Sequence, residues 1–340
     1  SAIEDPRSFL ELYPPPVIFD EVQYAPDLLP YIKEKIDAER DKSGQYLLTG
    51  SQNLLLMERI TESLAGRAAM LRLLPLSQRE AERQPTAPLP WESKRSSFKA
   101  SKFSYRELWK GFLRGSYPEL KAHPKRDVNL WHASYVQTYL ERDVRTLRQV
   151  GDLNQFQSFL RALAARSAQL LKLTDLARDL GVAVNTAKAW LSVLEATYQV
   201  TVLRPYYANV GKRLVKTPKV YFTDVGTLCY FAGLKDPAHA ASGPMGGAIM
   251  ETAVLSEIIK ALTHRGIDPQ VYFWRTVAGT EVDIVVETGA KLVPIEVKLS
   301  ATPRPAMASA VKTFQKDFGD ITLSLGSVVK ALPFYELQII

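Results

Sequence analysis

Cysteine is almost absent: Cys229 stands alone in 340 residues. A disulfide framework and a cysteine-rich zinc site are excluded, and a reducing cytoplasm fits. Histidine is scarce too, with His123, His132, His239 and His264 in four unrelated contexts. None has metal-ligand spacing, so they read as surface or satisfied polar residues. No uncharged apolar run reaches the roughly 18 residues of a membrane span. The opening SAIEDPRSFLELYPPP lacks the basic flank and apolar centre of a secretory signal. What is present is 46% hydrophobic and 23% charged, which supplies a core and excludes a disordered chain. Lysine and arginine outnumber aspartate and glutamate, 43 to 36, for a net charge of +7. That balance permits a polyanionic partner such as nucleic acid or nucleotide. At roughly 150 residues per domain the length suggests two or three domains.

The pattern is α/β at both ends. Val17-Ile18-Phe19 reads as a buried parallel strand ending in Asp20-Glu21. Leu28 to Glu39 has helical spacing. Tyr46 to Gly50 reads as a second buried strand, Leu54 to Leu64 as a helix and Ala68 to Leu73 as a third strand. Gln84 to Lys102 lacks periodicity and reads as a linker. A helical stretch follows from Tyr105 to Ala168. Thr174 is placed to cap a short helix, Asp175 to Leu180. Gly181 supplies a turn, and Asn185 to Ala196 forms a second helix with Ala189, Trp190, Val193 and Leu194 inward. Strands at Val200 to Leu203 and Val220 to Thr223 flank a basic, wing-like Lys212-Arg213-Leu214-Val215-Lys216. The last block carries a helix, Ile249 to Ala261, and strands at Val271 to Arg275, Glu281 to Glu287 and Leu292 to Leu299. A helix from Pro303 to Phe318 and two short closing strands complete it.

Two constellations point to chemistry. An acidic pair at the tip of a buried strand suits Mg²⁺-nucleotide work: Asp20 to hold the ion, Glu21 to polarise a water. Thr49-Gly50-Ser51-Gln52, at the next strand's tip, offers a polar group to a γ-phosphate. The alternative is that both acids simply leave a strand into solvent. The second constellation is Glu281-Val282-Asp283 followed by Ile295-Glu296-Val297-Lys298. A two-residue loop at Gly289-Ala290 sets residue 288 opposite 291. Asp283 then faces Glu296, and Glu281 faces Lys298. Facing carboxylates destabilise a sheet unless something neutralises them. A divalent cation, Mg²⁺ or Mn²⁺, does so, with Lys298 to stabilise developing phosphate charge and Glu251 to add a third carboxylate. Alternate residues Val282, Ile284, Ile295 and Val297 would face the core. The alternative is a solvated charged sheet face. The helix-turn-helix rhythm offers Arg178, Lys188, Lys212, Arg213 and Lys216 to DNA phosphates, although such units also serve as packing or protein-interaction modules.

The segments VIFDEVQYAPDLL, YLLTGSQN, SLAGRAAMLRLLPLSQRE, GFLRGSYPEL, YLERDV, NVGKRLVKTPKVYFTDVG and EVDIVVE…PIEVKLS recur in this order in a known group. The chain resembles prokaryotic AAA-type P-loop ATPases with a C-terminal domain related in pattern to PD-(D/E)XK nucleases. The resemblance implies that Asp20-Glu21 is the Walker B pair. It implies that Ser51-Gln52 is the sensor region and that Arg67 approaches a phosphate. It also implies that Glu251, Asp283, Glu296 and Lys298 form the nuclease-type pattern. The implied organisation is a truncated P-loop-type parallel-sheet domain at 1–83, a linker at 84–102 and a helical region at 103–168. A winged-helix-like region at 169–236 and a PD-(D/E)XK-like α/β domain at 240–340 follow.

One departure stands out. The group carries G-x-x-x-x-G-K-[ST] ahead of the Walker B strand, whereas 16 residues precede Val17 here and none forms such a loop. Gly211-Lys212 has Tyr206 and Arg213 at the flanking motif positions. The phosphate-cradling amides, the lysine and the Mg²⁺-binding hydroxyl are missing from the sequence. Truncation at the N-terminus is the favoured account; a strand from a partner chain or a rearranged sheet are the others. The expected function is an ATPase-family protein that does not hydrolyse ATP as given, with a nuclease-like C-terminal domain. A divalent-metal DNA nuclease and a non-enzymatic DNA-binding or protein-interaction module are the alternatives. DNA, a protein partner or a second copy are the expected partners, with no membrane. ATP is expected to leave the melting temperature of the 340-residue chain unchanged in a thermal-shift assay. A rise of several degrees would refute the reading of the missing loop.

Overall fold

The computed structural model describes residues 1–50, 63–89, 91–92, 104–139, 152–206, 215–289, 291–300 and 304–318. The chain divides into two compact units, Ser1–Leu71 with Tyr139–Val150, and Arg72–Thr138 with Gly151–Ile340. Residues 72–89, assigned above to the first domain and the linker, therefore pack with the second unit.

The first unit begins with helix α1 (Pro6–Leu12), capped by the Asp5 side chain on the Ser8 amide. Strand β1 (Val17–Phe19) pairs in parallel with β2 (Tyr46–Leu48), joined through α2 (Leu28–Ala38). Leu28, Leu29 and Ile32 are buried with Leu10, Val22 and Leu64, and Phe19, Tyr46 and Leu48 pack onto that core. The strands are not buried on both faces, as their apolar runs suggested. Ile18 is 65% and Leu47 53% exposed, because only alternate residues reach the core. The third strand expected at Ala68 to Leu73 is not formed: these residues have no ladder partner among the described residues, and all six are exposed. Most of the helix expected from Leu54 lies outside the described residues.

The second unit starts with α3 (Gln78–Ala81), whose capping box is closed by Ser77 and Glu80. The expected helical region resolves into α4 (Tyr105–Arg114), α5 (Pro118–Ala122), α6 (Val128–Tyr139) and α7 (Leu153–Ala164). After β3 (Gln169–Leu170) come α8 (Leu173–Asp179) and α9 (Val184–Ala196). Thr174 lies inside α8 and does not cap it, and Ala187 is buried where Ala189 was expected. Gly181, at φ +66°, makes the turn. Strands β4 (Val200–Leu203) and β5 (Lys219–Phe222) complete an antiparallel sheet of order β3-β5-β4. Helices α10 (Val225–Phe231), α11 (Pro237–Ser242) and α12 (Gly246–Thr263) lead to a second antiparallel sheet. That sheet runs β6 (Val271–Arg275), β7 (Glu281–Thr288) and β8 (Lys291–Ile295). Helix α13 (Ser309–Phe318) follows. The two closing strands expected after it lie outside the described residues. Leu255, Ile258, Ala261 and Leu262 of α12 pack with Leu203, Tyr221, Phe273, Ile284 and Val286, so both sheets share one core. Trp274, Val282 and Val285 pack with Val311, Phe314 and Phe318 in another cluster.

Two close fits hold the second unit together. Gly115, at φ +80°, touches Gly226 so closely that a Cβ on Gly226 would lie 2.6 Å from the Gly115 Cα. Asp224 accepts from the amides of Ser116 and Thr227 at 2.7 and 2.8 Å, fastening this crossing. The other fit is a polar clasp. Glu257, Lys260 and His264 lie along one face of α12. Glu257 accepts from the Gln78 amide at 2.7 Å, and Lys260 reaches Leu76 O and Ser116 Oγ. His264 accepts from the Leu74 amide through Nε2 and contacts Glu80 through Nδ1 at 2.8 Å. Burial raises Glu257 to about 7, with Glu80 adding to it and Lys260, the Gln78 amide and Lys121 opposing it.

Gly226→Ala is expected to cost about 2–3 kcal/mol in urea denaturation, since backbone meets the new methyl and cannot rotate away. Glu257 holds its proton more tightly folded than unfolded. Its contribution to stability is complete in acid and lost as pH rises from the ordinary carboxylate range to about 7. Glu257→Gln should therefore flatten the stability profile between about pH 5 and pH 8. An unchanged profile would count against this clasp.

Candidate active site

The acidic pair sits where strand β1 ends. Asp20 accepts from the Thr49 hydroxyl, so the tips of β1 and β2 are tied by side chains. The Thr49 amide donates to Phe19 O at 2.9 Å and its carbonyl accepts from Val22 at 3.0 Å. Glu21 turns the chain at φ 54°, a left-handed conformation uncommon for a residue other than glycine, and its carboxylate accepts from Gln23. Ser51 and Gln52 lie outside the described residues. Arg67 does not stand open to a phosphate: its guanidinium forks onto both oxygens of Asp37 at 2.7 and 3.0 Å. That pairing holds the Asp37 carboxyl below its usual value.

The carboxylates of the second unit do converge. The β7–β8 hairpin pairs Thr288 with Lys291 and Ile284 with Ile295, the register deduced from the Gly289 turn. Gly289 has φ +60° as that turn requires. Asp283 and Glu296 are brought together beyond the last ladder pair. The Val297 amide donates to Asp283 Oδ2 at 2.8 Å. Lys298 Nζ lies 2.6 Å from Glu296 Oε1 and 3.7 Å from Asp283 Oδ2. Glu281 does not face Lys298 as expected. Strand β8 ends at Ile295, and Glu281 is held by Arg275 at 2.6 Å and by Lys219.

A bulge accounts for part of the difference. Tyr272 pairs with Val285, yet Trp274 pairs with Val282, so β7 carries one extra residue beside Asp283. Val282 consequently packs with Trp274 and Phe314, while Ile284 packs with Leu255 and Ile258. The simple alternation that put Val282 and Ile284 on one face fails at this step.

Lys219 and Tyr221 of β5 were not anticipated in the site. Lys219 Nζ, on a side chain only 3% exposed, contacts Glu251 Oε1 at 2.9 Å and also Glu281. Tyr221 Oη donates to the same Glu251 oxygen at 2.5 Å. The sequence held a signal: Lys219, Tyr221 and Thr223 alternate through a strand otherwise made of Val and Phe. Four carboxylates, Glu251, Glu281, Asp283 and Glu296, thus meet three cations, Lys219, Arg275 and Lys298. With all four carboxylates ionised, one negative charge is in surplus. Glu296 Oε2 is buried and has no hydrogen-bond partner.

Burial raises Glu251 to about 7; the Asp283 charge adds to this, and Lys219 opposes it. Asp283 and Glu296 are raised as well, first by burial and then, for Glu296, by the charge of Asp283. Burial alone would lower Lys219 and Lys298, but their carboxylate partners outweigh it and both are raised. Glu251 is committed to Lys219 and Tyr221. Among the described residues no group of three or more His, Cys, Asp or Glu is arranged to hold a metal ion, so the three-carboxylate set is not assembled. Arg178, Lys188 and Lys216 are exposed, with Arg178 3.5 Å from Asp175. Lys212 and Arg213 lie outside the described residues.

Residues 1–82 match a family described as AAA domain. Residues 105–238 and 246–332 match two domains of unknown function, DUF8612 and DUF4143. The chain is 32% identical over 291 residues to the uncharacterized proteins Rv2008c of Mycobacterium tuberculosis and Mb2031c of Mycobacterium bovis. The alignment covers 84% of this chain, which spans 59% of the length of each relative. No solved structure matches. No described helix is long and apolar enough to cross a membrane. The AAA match at the N-terminus and the DUF4143 match in the C-terminal region support an AAA-type ATPase-like family.

Proposed function

We propose that the second unit is a divalent-cation-dependent phosphodiesterase centre of the nuclease type. It would sit in a protein of ATPase descent that, as this 340-residue chain, does not turn over ATP. The observation carrying the nuclease reading is Glu296: its Oε2 is buried without a partner, beside Asp283, in a cluster with surplus negative charge. Two carboxylates and a charge deficit fit one Mg²⁺ or Mn²⁺, with water to complete the shell. They do not fit a three-carboxylate cage, since Glu251 is engaged elsewhere.

Asp283 and Glu296 would hold the ion, which when bound polarises a phosphoryl oxygen and acidifies a coordinated water. The Val297 amide orients Asp283 through one oxygen. Lys298, half-exposed and tethered to Glu296, presents an ammonium to the charge that develops on a phosphate. Exposed Arg178 and Lys188, on the helix-turn-helix-like pair α8–α9, suit the backbone of a DNA substrate in a winged-helix-like region. ATP turnover is not proposed for these 340 residues taken alone, which carry no G-x-x-x-x-G-K-[ST] motif and in which Arg67 is engaged by Asp37.

A second reading, a non-enzymatic DNA-binding or protein-interaction module, is favoured by Lys219. Together with Arg275, this lysine neutralises Glu251 and Glu281 with no added ion. One experiment separates the two. Plasmid DNA should be nicked with Mg²⁺ or Mn²⁺, and Asp283→Asn and Lys298→Met should each lower the rate on the order of 100-fold while melting as the parent does. Salt-sensitive retention of DNA, without cleavage under either ion, would reject the nuclease and leave the module.

A further inference from the structure

We infer that Lys219 is a built-in counter-cation. It occupies the position that a divalent ion would otherwise take between Glu251 and Glu281, so that removing it adds one divalent-ion site. The inference rests on the phosphodiesterase reading for the first ion only.

The geometry is specific. Lys219 belongs to β5, in a different sheet from β7, and its ammonium joins carboxylates from α12 and β7. Glu251 Oε1 takes two donors, the Lys219 ammonium and the Tyr221 hydroxyl. Glu281 is held on both oxygens, by Lys219 on Oε1 and by Arg275 on Oε2. The ammonium also lies 5.6 Å from the Phe273 ring centroid. Glu251 Oε1 and both oxygens of Glu281 already have donors, whereas Glu296 Oε2 has none.

Charge makes the same distinction. One divalent ion at Asp283 and Glu296 turns a surplus of one negative charge into one positive charge. A second ion beside Glu251 would raise the excess to three and sit against the Lys219 ammonium. Like charges that close in a buried site repel strongly. A tethered ammonium therefore fixes the carboxylates as a metal does and does not exchange with solvent ions.

The test is a Mn²⁺ titration of the whole 340-residue chain, read by the electron paramagnetic resonance of free Mn²⁺. The parent is expected to bind one ion, Lys219→Met two, and Lys219→Arg one. Adding Glu251→Gln to Lys219→Met should return the count to one. A folded Lys219→Met that binds no more ions than the parent, or a parent that binds two, overturns the inference. A parent that binds none while Lys219→Met binds one upholds the role of Lys219 and rejects the ion at Asp283 and Glu296. If Lys219→Met does not fold in metal-free buffer, millimolar Mn²⁺ should restore its cooperative melt, because the ion then takes the place of the ammonium between Glu251 and Glu281. Absence of that rescue overturns the inference.

Discussion

An ammonium at 3% exposure keeps its charge only if carboxylates replace the water it has lost, and this demand organises the second unit. Lys219 draws Glu251 from α12 and Glu281 from β7 to a point on β5. Those three elements surround one apolar core, in which Tyr221, Leu255, Phe273 and Ile284 pack together. The ion cluster therefore links the two sheets and α12 beside the apolar core they share. Removing Lys219 would leave Glu251 buried without a cationic partner, whereas Glu281 would keep Arg275. The cluster also crosses the boundary between the two matched segments: Lys219 falls within 105–238, and its partners fall within 246–332.

The hairpin that carries Asp283 and Glu296 was legible because a two-residue turn permits only one register. Once Gly289 was placed, every pair from Thr288–Lys291 back to Ile284–Ile295 followed. What could not be read was the bulge beside Asp283. Nothing in Glu281-Val282-Asp283-Ile284 announces an extra residue, and a bulge reverses the face of everything beyond it. The role of Lys219 was hidden for a different reason. Its alternation with Tyr221 and Thr223 marks a polar strand face, but a polar face reads as solvated, and its burial follows only from the meeting of β5, α12 and β7. Helices with long apolar stripes, such as α2 and α12, were read nearly to their ends, because a stripe repeats several times where a three-residue strand does not.

The first unit shows the limit of short patterns. Val17-Ile18-Phe19 and Tyr46-Leu47-Leu48 are apolar throughout, which usually marks strands covered on both faces. Among the described residues one face is packed, and Ile18 and Leu47 project from the other. The Ala68 to Leu73 segment has strand-like composition and no ladder, and Leu73 is 91% exposed. Apolar composition alone does not make a strand. The backbone groups need a partner edge, and among the described residues none is paired with this exposed segment.

Helix α12 ties the ion cluster to the clasp. Glu251, one turn into the helix, enters the cluster; Glu257, Lys260 and His264 bind residues 74–80. Between these contacts Leu255, Ile258, Ala261 and Leu262 are buried. A rotation or slide of α12 that moved Glu251 would strip the clasp of its partners and drag four core residues out of register. Close-packed interiors resist such motion because they have no continuous path between arrangements. The position of Glu251 is thus fixed before any ligand arrives, by residues up to 13 positions along the same helix. If the proposed centre binds an ion, charge preorganised in this way, rather than closure around the ligand, would set its selectivity.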